Sequence, residues 1–127
     1  MSHRLLLTTL ISAGLTLLAG CGAASSPTAP SAPAVPAIIT ITSSGVSPKE
    51  LTIAIGDRVT FVNDDVIQHD IAGGPDPAHP DCREIDAVGF LTRGQRRATA
   101  PFPVARTCEY HDHSVPLATM NGTIIIR

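Results

Sequence analysis

Large rings are nearly missing from this chain of 127 residues, which has no tryptophan, one tyrosine and three phenylalanines. A core built around aromatics is therefore excluded, and Ile, Val, Leu and Ala must supply it. Charge is sparse as well: 16% of residues are charged and the formal net charge is −2. No basic stripe exists, so nucleic-acid binding has no electrostatic footprint. No window carries a strong helical period, and only a short helix somewhere in 80–90 is signalled. Uninterrupted apolar runs long enough to span a bilayer, roughly 20 residues, are also missing.

The apolar run that does occur, "LLLTTLISAGLTLLAG" after "MSHR", is broken by Gly14, Thr16 and Gly20. A short basic start, an apolar stretch and small residues before a cut site describe an export signal over residues 1–20. Its last residues with Cys21, "LAGC", resemble the bacterial lipobox. That resemblance implies cleavage before Cys21, lipidation of its thiol and attachment to a membrane on the exported side of the cell envelope. "GAASSPTAPSAPAVPA", residues 22–37, holds no charge and no apolar periodicity. It cannot bury enough surface to offset its ordering entropy, and it reads with Cys21 as a disordered Pro/Ala/Ser tether. One small domain, residues 38–127, remains. A core of that size is marginal, and a disulfide or a metal would support it.

Short β-branched runs with period-two alternation open this domain: "IITITS" (38–43), "ELTIAI" (50–55) and "RVTFV" (58–62). "NDDVIQHDI" and a long turn-rich stretch, "AGGPDPAHPDCREIDAVGFL", follow. "RGQRRATAPF", "ARTCEY" and the closing "GTIIIR" read as further strands. Closely spaced Gly, Pro and Asp breaks between such runs predict an all-β sandwich.

Val46, Pro48, Ile53, Ile55, Gly56, Asp57, Val59, Phe61, Asn63, Asp65 and His69 follow, in order, a pattern of Pro, alternating aliphatics, Gly-Asp, Val-x-Phe-x-Asn and His. "TMNGTIIIR" closes the chain in the manner of Met-x-Gly-x-Ile-x-Val. In these features the chain resembles the cupredoxins, the small copper proteins of the plastocyanin and azurin type, over nearly all of 38–127. The resemblance implies a Greek-key β-sandwich or barrel that binds one copper ion, with a role in electron transfer or copper handling and an unknown redox or copper-delivery protein as partner. It does not imply an enzyme.

Apart from His3, the histidines are His69, His79, His111 and His113. All four follow the N-terminal strands, where the resemblance implies one pole of the sandwich. Imidazole suits copper and zinc alike, so zinc is not excluded. Residues 107–113, ending in "YHDH", are similar to the Gly-Thr-x-x-Tyr-His-x-His segment of multicopper oxidases, where a His-x-His pair binds copper. The remaining His-x-His motifs of those enzymes are missing, so a complete three-copper cluster is not implied. The expected metal ligands are His69, His111 and His113. His79 is either a further ligand or a surface residue beside Asp76 and Asp81. Asp70 and Asp112, each next to a candidate ligand, could accept the second ring N–H or be solvated acids.

The alternative ligand set is that of a blue-copper centre: His69, Cys108, His111 and Met120. Cys108 to His111 has the family's Cys-x-x-His spacing. Against it, the family's Gly-Thr-Tyr-x-Tyr-x-Cys approach aligns Tyr110 with its second Tyr and sets the thiolate position on Asp112. Cys108 then lies four residues early, about 13 Å along a strand at ~3.3 Å per residue. Parity is the second objection. With Cys21 lipidated, Cys82 and Cys108 form an even pair in an oxidising compartment, the usual setting of a disulfide. Two further alternatives are a metal-free sandwich serving adhesion or assembly and an enzyme using an open copper site for oxygen or nitrogen-oxide chemistry.

Overall fold

The computed structural model describes residues 36–74 and 81–127. The signal run, Cys21, most of the tether, Asp76 and His79 lie outside the described residues. Among the described residues nine strands form: β1 (Ile38–Thr42), β2 (Gly45–Ser47), β3 (Glu50–Ile53), β4 (Thr60–Asn63), β5 (His69–Gly73), β6 (Gly89–Leu91), β7 (Arg96–Ala98), β8 (Arg106–Asp112) and β9 (Gly122–Ile126), with a short helix, α1 (Arg83–Asp86), between β5 and β6. Their hydrogen bonds make two sheets, a four-stranded one in the order β2-β1-β4-β7 and a five-stranded one in the order β3-β9-β8-β5-β6.

The short helix expected within 80–90 is α1. The strands at the two ends of the domain stand where the alternation puts them. Two strands occupy stretches read as breaks or turns, and a third begins in a stretch given no strand. β2 lies in "SGVSPK" and β6 in the turn-rich region, each only three residues long. β5 spans "HDIAG" and is held between β6 and β8 by pairing rather than by its own propensity.

Alternation then decides what faces the core. Ile39 and Ile41 of β1, Phe61 of β4, Ile71 of β5, Cys108 and Tyr110 of β8, and Ile124 and Ile126 of β9 are all buried. They come from both sheets and meet between them, as period-two side chains must. Phe61 and Tyr110 join the sheets edge to face, with ring centroids 5.0 Å apart and planes at 84°, a favoured aromatic geometry. Cys82, just before α1, is bonded to Cys108 in mid-β8 with Cα atoms 5.8 Å apart. The disulfide thus fixes the α1 segment to the five-stranded sheet.

Gly122 shows how tightly β9 is set against its neighbours. A Cβ there would collide with the Tyr110 hydroxyl and lie 2.7 Å from the Lys49 carbonyl oxygen. Gly122→Ala should therefore cost about 1–3 kcal/mol of stability, as overpacked sites do. Chemical denaturation measures it, and an unchanged midpoint would show that the Tyr110 ring can yield.

Candidate metal centre

The adjacent strands β5 and β8, with the residue that follows β8, carry every described histidine. They pair antiparallel, with Ile71 opposite Asp112, Ala72 opposite His111 and Gly73 opposite Tyr110. Because side chains alternate across a strand, this register assigns each candidate residue to a face. Cys108, Tyr110 and Asp112 point into the sandwich, and His69 of β5 does the same. His111 and His113 occupy the odd positions of β8 and its continuation, on the outer face, and Asp70 joins them there.

The three-imidazole site expected at His69, His111 and His113 is therefore not brought together. His69 is fully buried on one side of the sheet, while His111 and His113 stand on the other. Two clusters result, and each contains one of the expected carboxylates, though not beside the neighbour that the sequence suggests. Asp112 serves His69, and Asp70 serves His113.

In the inner cluster the Nδ1–H of His69 donates to Oδ2 of Asp112 in a short contact, both side chains being fully buried. Oδ1 of Asp112 accepts backbone N–H groups from Asp70 at 3.0 Å, Ser114 at 2.8 Å and Val115 at 3.3 Å. On the other side of the ring, Nε2 faces Oδ2 of Asp65 at 3.4 Å. In the sequence Asp65 belongs to the running pattern before His69 and is not among the expected site residues. Asn63 positions it: Nδ2 donates to the carbonyls of Ile67 and Leu91, both at 2.8 Å, while Oδ1 accepts the Asp65 N–H at 2.8 Å. This folds the 63–68 turn over the histidine. An Asn two residues before an Asp is the sequence signal for such a turn.

In the outer cluster the rings of His111 and His113 lie with centroids 4.8 Å apart, tilted by 57°. Nδ1 of His113 stands 3.6 Å from Oδ2 of Asp70, and the two side chains are 39% and 20% exposed. Asp70 is opposite Phe90 of β6, which is exposed on that same face. Along β8 the face continues into an open groove of about 690 Å³ that His111 lines together with Lys49, Glu50, Glu109 and Asn121. Among the described residues no three His, Cys, Asp or Glu side chains form a ready cage for an ion. The outer pair offers two imidazoles. Tyr110 also borders the groove. Its phenol is pushed upward from the ordinary value of 10.0 by burial, which favours the neutral hydroxyl.

No protein-family model matches the sequence, and no curated protein matches it. Solved structures do match. The chain is similar to a purple cupredoxin from Nitrosopumilus maritimus at 23% identity and a TM-score of 0.57, covering 72% of this chain and 99% of that one. It is also similar to reduced amicyanin, in a variant form, at 21% identity and a TM-score of 0.57, covering 71% of this chain and 80% of that one. A Cu(I) amicyanin variant matches at 20% identity with the same TM-score of 0.57 and the same coverages, 71% and 80%. The chain has the cupredoxin fold. Likeness at these identities is likeness of fold, and the site has to be judged on this chain's own residues.

A thiolate copper centre does not fit those residues. Cys108 is held in the disulfide with Cys82, and its side chain is buried in mid-strand. His111 points away from His69 across the sheet. Met120 is buried, at the end of a 3₁₀ turn. On the register that the sequence resemblance implies, Asp112 stands at the thiolate position. The family's Cys-x-x-His spacing counted from there ends on Val115, a partly buried side chain packed on the core. Among the described residues a thiolate and a second imidazole are thus both missing from the inner pole.

Proposed function

We propose that this cupredoxin is an exported, membrane-tethered protein that binds one copper ion at His111 and His113 and serves copper handling at the cell envelope. The pairing of two imidazoles on one face of β8, ring centroids 4.8 Å apart, carries the reading. Imidazole is a good ligand for copper, and among the common divalent ions copper is bound most tightly by a given nitrogen site. Asp70 beside His113 can orient that ring or contribute an oxygen. The export run, the "LAGC" motif and the tether support the envelope location, with Cys21 as the lipidated residue.

The lack of a thiolate ligand favours handling over electron transfer. Fast electron transfer needs a site whose geometry suits both oxidation states, as thiolate centres do. Two imidazoles from one segment hold an ion without that geometry, and the partner expected is a copper donor or acceptor.

Titration of the purified chain with Cu(II) tests the proposal. One ion should bind per chain with weak, pale absorption. Intense absorption at the red end of the visible, from thiolate-to-copper charge transfer, would show instead that Cys108 is free and coordinating. No uptake above that of a histidine-free variant would leave a metal-free sandwich used in adhesion or assembly.

A further inference from the structure

The inner pole is where the cupredoxin resemblance seats a metal through His69. We infer that in this chain the inner pole is a metal-independent polar lock, with the Asp112 carboxylate standing in the thiolate position and fastening β5 to β8 and the loop behind it. The inference rests on the fold and on this cluster alone, and does not depend on the copper reading of the outer pair.

Asp112 has four donors, and both of its oxygens are used. Oδ2 takes the His69 ring, while Oδ1 takes the N–H groups of residues 70, 114 and 115. An ion bridging Nδ1 and Oδ2 would hold each at about 2.0–2.2 Å, which places the nitrogen and oxygen roughly 3 Å or more apart. They are instead in direct hydrogen-bond contact, so no ion fits between them. On the Nε2 side, among the described residues, Oδ2 of Asp65 is the carboxylate oxygen within reach, while Oδ1 of the same carboxylate takes the Val66 N–H at 2.6 Å. One imidazole and one carboxylate are too few for a closed metal site, which takes four ligands.

The lock performs the mechanical task that a metal would otherwise perform. It joins the start of β5, the end of β8 and residues 114–115, which lead into the 3₁₀ turn at Ala118–Met120. A carboxylate with all its donors in place is stable in a buried position, whereas removing its charge leaves the donors poorly matched. The domain therefore keeps one fold with and without metal, and loading the outer face does not require the inner pole to open.

Nuclear magnetic resonance of the full chain, with and without one equivalent of Zn(II) as probe, tests this. The metal-free protein should show a slowly exchanging His69 Nδ1–H signal, and that signal should persist unchanged on adding zinc. Movement of the His111 and His113 ring signals reports separately on the copper-handling reading, so either proposal can fail without the other. Loss of the His69 N–H, or a shift of its ring carbons on metal addition, would overturn the lock. As a second measurement, Asp112→Asn should lower the melting temperature of the metal-free protein by about 15 °C or prevent folding, given the usual effect of breaking a buried charged pair in a domain of this size. An unchanged melting temperature would also overturn it.

Discussion

Replacing Cys82 and Cys108 together by alanine lowers the melting temperature of the domain by about 15 °C. The bond joins residues 26 apart in sequence, and closing a loop of that length restricts the unfolded chain by roughly 3 kcal/mol. A domain of this size loses about 4–8 °C per kcal/mol. The effect is large because the core has few aromatic rings to fall back on: Phe61, Phe102 and Tyr110 are its only buried ones among the described residues. Both cysteines are buried, so small cavities add to the loss. Calorimetry under non-reducing conditions, with the reduced wild-type protein as a second comparison, measures it. Equal melting temperatures would mean that the bond is not formed in solution.

The second large effect concerns copper. The His111→Ala/His113→Ala double variant should lose copper affinity by about 100-fold or more, since loss of a ligand's supporting partner alone costs 10–100-fold. His69→Ala should leave affinity within about threefold, because its ring is on the other side of the sheet, although its stability should fall. Competition titration against a chelator of known affinity separates these outcomes. A set of variants in which His69→Ala weakens copper as much as the double change would return His69 to the ligand set.

The strands that frame the site were largely legible in the sequence, whereas the convergence of its histidines was not. "IITIT" and "GTIII" announce β1 and β9 because β-branched residues alternate on half-buried strands. β2 and β6 escaped notice because three residues give no periodicity to read, and they exist only through pairing with longer neighbours. That His111 and His113 share a face follows from their spacing. Which face they share does not follow from spacing alone. Cys108 and Tyr110 could have decided it: a disulfide cysteine and the single tyrosine belong inside, so the odd-numbered positions of β8 must face out. His69 sits beside buried Ile71 in the same alternation and must face in. The three rings could not meet once these two phases were set. Asp65 was hidden for a different reason, since a carboxylate within a polar turn carries no sign that a histidine will be folded against it.

The fold by itself suggests copper at the inner pole, while the side chains of this chain favour the outer face of the five-stranded sheet. A crystal of the copper-loaded chain, with anomalous scattering recorded at the copper edge, decides between them directly. The account predicts a single anomalous peak beside the His111 and His113 rings, with His69 still bonded to Asp112. A peak inside the sandwich, within bonding distance of His69 or Met120, would contradict it.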